Sequence, residues 1–324
     1  MCHAVGMYEL MKQCGALVIV GVLATGCASG GSKVSRPIAI PAPQTLKMFG
    51  SGGAGVGWDE LVLAAAEADV VIIGEVHGHA AGLKLTSTLF EEVLERNPNA
   101  MLSLEFFERQ DQAAIDDYLS GLSTEEQFKK ATGRKGGSYP DGHRAMVEAA
   151  KEAGGSVIAP NAPAVYRRAA SKDGFDRLDS LTEVQARLVA VPQAVIEGDY
   201  KDRFFEVMTE AMAAHGGGDS DEEPTEEEKQ KQLERISGMF RAQNVWDATM
   251  ADSIASGMDA GGKPVYHVVG QFHTDHDGGL LQRLRSMKPD AIILTISIAQ
   301  SWDEALTSED EGRASVVVYA GSDD

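Results

Sequence analysis

The sequence predicts an α/β domain built on a mainly parallel central sheet flanked by helices, with an inserted helical subdomain. Three observations carry this. Short β-branched runs alternate with helical patterns, a long interior stretch has helical patterning and no strand run, and a 43% hydrophobic, 24% charged chain can bury a core of this kind.

The runs, in order, are 68–75 (ADVVIIGE), 100–107 (AMLSLEFF), 156–161 (SVIAPN), 263–273 (KPVYHVVGQFH), 291–298 (AIILTISI) and 314–320 (ASVVVYA). Between the first two, Leu83, Thr86, Phe90 and Val93 share one helical face, and Asn97-Pro98 stops that helix. Met146, Val147 and Ala150 mark a second helix, closed by Gly154-Gly155. Residues from Ser180 to about Ala214 show no strand pattern, and 233–258 read as one long helix, so a helical subdomain is expected over about 180–258. The segment 213–232 joins a glycine run to clustered acids and reads as a disordered acidic loop grading into a helix start.

Ahead of the domain, Cys14 to Ala24 is apolar but shorter than the roughly 20 residues that a membrane-crossing helix needs. With Lys12 before it and Leu23-Ala24-Thr25-Gly26-Cys27 after it, residues 1–26 read as a lipoprotein signal peptide starting at Met11, with Cys27 the lipidated residue. The Ser-, Gly- and Pro-rich span 27–48 reads as a flexible linker, and 49–324 as the folded domain. Of Cys2, Cys14 and Cys27, Cys27 alone would remain after cleavage, which excludes an internal disulfide. Ala28-Ser29 after the cysteine place the expected protein in the bacterial envelope, on the periplasmic face of the outer membrane. With 29 basic and 49 acidic residues the net charge is −20, which argues against nucleic acid as a partner and leaves the lipid anchor as the expected membrane contact.

Chemistry-bearing residues collect at strand ends. Glu75, His77 and His79 follow the first run, Glu105 ends the second, Asn161 the third, and His273 the fourth. In an open parallel sheet, ligands bind outside the carboxyl ends of the strands, so these groups are expected to converge. Gln243 and Asp247 lie on the apolar stripe of the long helix with Ile236, Phe240, Ala251 and Ile254, so Asp247 should face the strand ends or a nearby cation. A ligand pocket is therefore expected from Glu75, His77, His79, Glu105, Gln112, Asn161, Gln243, Asp247, His273 and His276. A divalent metal is one cofactor such a set could take, with His77, Glu105 and His273 as ligands. No H-E-x-x-H, paired C-x-x-C, C-x-x-C-H, G-x-S-x-G or Walker loop is present, which removes zincin, zinc-ribbon, covalent-haem, serine-hydrolase and P-loop readings.

Taken in order, Gly74-Glu75-Val76-His77, the L-E-F-F-E-R-x-x-Q of Leu104 to Gln112, Asn161-Ala162-Pro163, the Q-x-x-x-D-A-x-M-A of Gln243 to Ala251 and the G-x-x-H-x-x-x-D-x-G beginning at Gly270 resemble the ChaN-type haem-binding lipoproteins of the haem-uptake/Tiki-like superfamily. The resemblance runs from about residue 50 to 290. It implies noncovalent binding of haem or another iron species in iron acquisition. It also implies kinship with Tiki metalloproteases and erythromycin-esterase-like hydrolases, hence the alternative of a metal-dependent hydrolase using Glu75, His77, Glu105 and His273. A tyrosine is the axial ligand type it suggests. Tyr139, in Ser138-Tyr139-Pro140, is the nearest family-like position, with Tyr118 and Tyr166 as other candidates.

Overall fold

The computed structural model describes residues 40–215 and 225–322. The signal peptide, Cys27 and most of the linker lie outside those residues. Seven strands form one sheet: β1 (Lys47–Gly50), β2 (Val70–Glu75), β3 (Met101–Leu104), β4 (Ser156–Ile158), β5 (Val265–Gly270), β6 (Ile293–Ala299) and β7 (Val316–Tyr319). Their spatial order is β1-β7-β6-β2-β5-β3-β4, with every neighbouring pair parallel except β1–β7. β1 is an addition to the six expected strands, and it falls at the end of the span read as linker. Beside it, Gly50-Ser51-Gly52-Gly53-Ala54-Gly55 has the spacing of a dinucleotide-binding fingerprint. The run only turns the chain back on β1, bridging Phe49 to Gly55, and does not join a parallel strand to a helix.

The helices are α1 (Trp58–Glu67), α2 (Ala80–Arg96), α3 (Gln112–Leu119), α4 (Glu125–Ala131), α5 (Asp141–Glu152), α6 (Ala164–Asp173), α7 (Glu183–Ala186), α8 (Asp199–His215), α9 (Glu226–Asp259) and α10 (Gly279–Met287). Successive side chains of a strand point to opposite faces, and here both faces are covered. Val71 and Ile73 of β2, with Tyr266 and Val268 of β5, pack against Leu85, Leu89 and Phe90 of α2 and Met146 and Val147 of α5. Val70, Ile72, Val265 and Val269 pack on the other face against Trp246, Met250 and Ile254 of α9 and Leu280 and Leu284 of α10. Full burial of side chains of this size stabilises by about 1.5–3 kcal/mol each, which fixes the strand register and with it the positions of the strand ends.

Among the described residues, everything between β4 and β5 is helical or irregular, and the long helix there begins earlier than the sequence patterning implies. The acidic loop expected over 213–232 is interrupted: α8 continues to His215, and α9 starts at Glu226. Thr225 caps α9 by accepting the Glu228 N–H at 3.3 Å while the Glu228 carboxylate accepts the Thr225 N–H at 2.8 Å. Glu226, Glu227 and Glu228 then occupy the first turn, where the positive end of the helix dipole favours acids, so the helix start that the acidic run grades into lies at Glu226, seven residues before 233. Among the described residues no helix is long and apolar enough to cross a membrane.

Candidate functional site

The carboxyl ends of β2, β3 and β5 lie side by side, and each delivers one element of the site. Glu75, the last residue of β2, is buried and bridges two imidazoles. His77 Nδ1 lies 2.8 Å from its Oε1, and Nε2 of His143 in α5 lies 2.9 Å from its Oε2. Burial alone would raise the Glu75 carboxyl, but His143 and His77 outweigh it and hold it well below the usual range. A firmly ionised Glu75 selects the His77 tautomer with its proton on Nδ1, which makes Nε2 the basic nitrogen. The Phe106 ring leans on both imidazoles, with centroids 5.1 Å from His77 and 4.7 Å from His143.

β5 supplies the contact between the two halves of the site. A Cβ on Gly270 would lie 3.1 Å from His77 Nε2 and at ordinary contact, 3.6 Å, from Glu105 Oε2, so the glycine leaves room for the imidazole at the end of that strand. Glu105 is buried after β3 and accepts the Gly270 N–H at 2.7 Å, while its Oε1 lies 3.7 Å from His273 Nε2. His273 donates from Nδ1 to Asp247 Oδ1 at 2.6 Å, and the other Asp247 oxygen accepts the Tyr200 hydroxyl at 2.8 Å. Burial pushes the His273 imidazole down, but Asp247 and then Glu105 more than restore it, so it binds its proton more tightly than an ordinary histidine. The Gln243 amide lies 3.1 Å from both Tyr200 Oη and His273 Nδ1.

Of the expected pocket residues, Glu75, His77, Glu105, Gln243, Asp247 and His273 therefore form one connected set. Asn161 borders it, donating to the Glu105 carbonyl at 3.0 Å and accepting the Ala162 N–H at 2.8 Å. Three expected members do another job. His79 is the N-cap of α2, accepting the Gly82 N–H at 3.2 Å. Gln112 ties α3 to the edge strand β4 through the Val157 carbonyl at 2.9 Å and the Ala159 N–H at 2.8 Å, and has no bond to the residues at the ends of β2, β3 and β5. His276 sits in a left-handed turn (φ 51°), where burial and then Arg203 and Arg313 press its imidazole down, so it and His273 do not act as a pair. The divalent-metal reading is not supported, since no group of three or more His, Cys, Asp or Glu among the described residues is arranged to hold a metal ion. Each member of the expected set has a tight protein partner in place: His77 has Glu75, Glu105 has the Gly270 N–H and His273 has Asp247.

His143 and Tyr200 complete the site and are absent from the sequence-based set. His143 could have been found, since it lies three, four and seven residues before Met146, Val147 and Ala150 on the buried face of α5. Tyr200 carries no such mark, because its role depends on how α8 packs on α9.

Beneath the site, His267 of β5 is fully buried with its Nδ1 2.9 Å from Ser103 Oγ. Burial first, then the nearby His273, push its imidazole down to about 3, against a smaller opposing pull from Ser103. As pH falls below the usual histidine value near 6.5, the unfolded chain takes up a proton that the folded chain refuses, so stability is lost between about pH 6.5 and 3. Thermal melts across that range should show a steeper loss for the wild type than for His267→Gln, by up to about 1.4 kcal/mol per pH unit. Parallel curves would show that His267 is not held neutral.

A family profile described as haem-binding uptake, Tiki superfamily, ChaN matches residues 61–284. The chain belongs to this family. Its fold is that of the solved structure titled "Cofacial heme binding to ChaN of Campylobacter jejuni", which matches at a TM-score of 0.62 and 14% identity over 85% of this chain and 96% of that one. Looser likenesses are to the type III effector HopBA1 (TM-score 0.42, 17% identity, 82% and 93% covered) and to a point mutant of the erythromycin esterase EreC in its open conformation (TM-score 0.43, 12% identity, 78% and 76% covered). No curated protein sequence matches the chain at a significant level.

The family implies haem, and the candidate iron ligands differ in how far they reach the surface. Tyr118, Tyr139 and Tyr166 are all buried. Tyr139 is packed with Phe107 and Phe128, and its hydroxyl is buried with no hydrogen-bond partner. Tyr118 donates to Glu148 at 2.5 Å, and Tyr166 is enclosed with Leu178 and Val245. The His77 side chain, by contrast, keeps 17% of its surface exposed and lies against the half-buried Phe106.

Proposed function

We propose that this protein binds haem noncovalently at the strand-end site and serves haem or iron uptake. The observation that carries the reading is the family match over residues 61–284. His77 is the residue assigned to the iron, with Glu75 fixing its tautomer and raising the basicity of Nε2, as carboxylates behind metal-binding histidines do. His143 holds Glu75 from the other side, and Phe106 and Phe272 are the half-buried rings available to an apolar macrocycle. Haem supplies an iron centre that takes one or two axial ligands, and the protein sets their identity and the polarity around them. Titrating the full chain with haem should give a saturable Soret shift; a spectrum equal to the sum of its parts would refute the reading.

A second reading is favoured by one observation, the His273–Asp247 pair with His273 Nε2 turned toward Glu105. Such a pair could move a proton during hydrolysis. Turnover of an activated ester that His273→Ala abolishes while haem titration is unchanged would support it over haem binding.

We also propose that the domain is tethered to the bacterial envelope through lipid on Cys27, on the periplasmic face of the outer membrane, with membrane contact confined to that anchor and no nucleic-acid partner. Cys27→Ser should leave the precursor unprocessed and move the protein out of the outer-membrane fraction. Unchanged processing and fractionation would contradict the anchor.

A further inference from the structure

In a chain of net charge −20, a shielded cation ordinarily finds an oxygen. Six of the buried and half-buried arginines among the described residues do so: Arg109, Arg167, Arg203, Arg241, Arg283 and Arg313 each reach a backbone or side-chain oxygen. Arg134, in the loop between α4 and α5, is the exception. Its guanidinium carbon lies over the Phe106 ring at 6.0 Å and the Phe107 ring at 5.4 Å, and its buried Nε, like those of Arg283 and Arg313, has no hydrogen-bond partner.

The acids around it are committed elsewhere. Asp111 accepts the Glu108 N–H at 3.0 Å, Glu108 is held by Arg167 at 2.8 Å and the Ala164 N–H at 3.0 Å, and Glu105 is held by the Gly270 N–H at 2.7 Å. They act on Arg134 from a distance, partly offsetting the effect of burial, and leave its donors unused. The ring it covers is Phe106, the same ring that leans on His77.

We propose that Arg134 is the carboxylate anchor of the strand-end pocket, and that the pocket takes an acid whose carboxylate is carried on a flat apolar body. A guanidinium offers parallel N–H groups matched to a carboxylate, and its contacts with Phe106 and Phe107 hold it at the site before the ligand arrives. Phe106 and His77 are the adjacent contacts for the apolar part. The inference deepens the haem reading, since haem carries two carboxylates, but it applies equally to a smaller aromatic acid.

The test uses the full chain as wild type, Arg134→Ala, Arg134→Lys and, as a control for general charge, Lys135→Ala. The probes are metal-free protoporphyrin IX, its dimethyl ester and 2-naphthoate, followed by tryptophan quenching and thermal shift. The wild type and Lys135→Ala should bind the porphyrin diacid roughly 10–100-fold more tightly than the diester. Arg134→Ala should bind both as weakly as the diester, and Arg134→Lys should fall between, because it keeps the charge and loses the fork. A purely structural role would lower the melting temperature of Arg134→Ala and leave the diacid preference intact, which overturns the proposal. Haem binding with no preference for free carboxylates overturns it while sparing the haem reading. Binding of 2-naphthoate that Arg134→Ala abolishes, without porphyrin binding, supports the anchor and removes haem. Binding of neither class of acid overturns the anchor.

Discussion

Replacing His77 with alanine is expected to weaken haem binding by more than the ~10–100-fold that loss of a ligand's supporting partner typically costs. Glu75→Gln should fall within that ~10–100-fold range, because it keeps the imidazole and loses the carboxylate that orients it. The two effects should be ordered, with His77→Ala the larger, and His276→Ala should have none, since His276 sits in a separate turn facing Arg203 and Arg313. Spectrophotometric titration of the three variants checks this. Equal loss in all three would point to general destabilisation, and no loss in His77→Ala would take the iron away from the strand-end site.

Asp247→Ala should produce the largest loss of stability. Asp247 is fully buried and serves two partners, the His273 imidazole at 2.6 Å and the Tyr200 hydroxyl at 2.8 Å. Its removal leaves the His273 imidazole and the Tyr200 phenol without their shared partner in a closed interior. Breaking a buried charged pair in this way costs about 3–5 kcal/mol, which corresponds to a drop of roughly 6–20 °C in melting temperature. Asp259→Ala, near the exposed end of the same helix, removes a surface pair with Lys288 and should shift the melt by no more than the ~0.5 kcal/mol typical of surface changes. A melt for Asp247→Ala within 2 °C of wild type, an allowance of about 1 kcal/mol or less, would show that the Tyr200–Asp247–His273 chain does not hold together.

Much of the architecture was legible because buried parallel strands leave an unmistakable pattern. Val70 to Gly74 is apolar on both faces and Val265 to Gly270 is so apart from His267, and a residue such as Glu75 at the end of that pattern stands out. β1 was not legible, since four residues after a proline-rich span carry no periodicity, and its identity as a strand rests on pairing with β7 near the other end of the chain. The acidic run reads as a solvated loop grading into a helix start, and the Thr225–Glu228 capping pair is the local signal that marks where α9 begins.

The site divides in the same way. Asp247 was readable as an acid on an apolar helix face that requires a partner, and that partner is His273. The roles of His79, Gln112 and His276 were not readable, because a polar residue beside a strand end can cap a helix, brace a loop or line a pocket with the same local sequence. Arg134 lies in a loop with no periodicity, and its place over Phe106 comes only from tertiary packing.

The most direct measurement is the resonance Raman spectrum of the haem complex in its ferric and ferrous states, for wild type and His77→Ala. The expected result is an iron–imidazole stretching band in the ferrous wild type that His77→Ala removes, with no tyrosinate modes in the ferric form. Tyrosinate modes, or an imidazole band that survives in His77→Ala, would contradict the assignment of His77 to the iron.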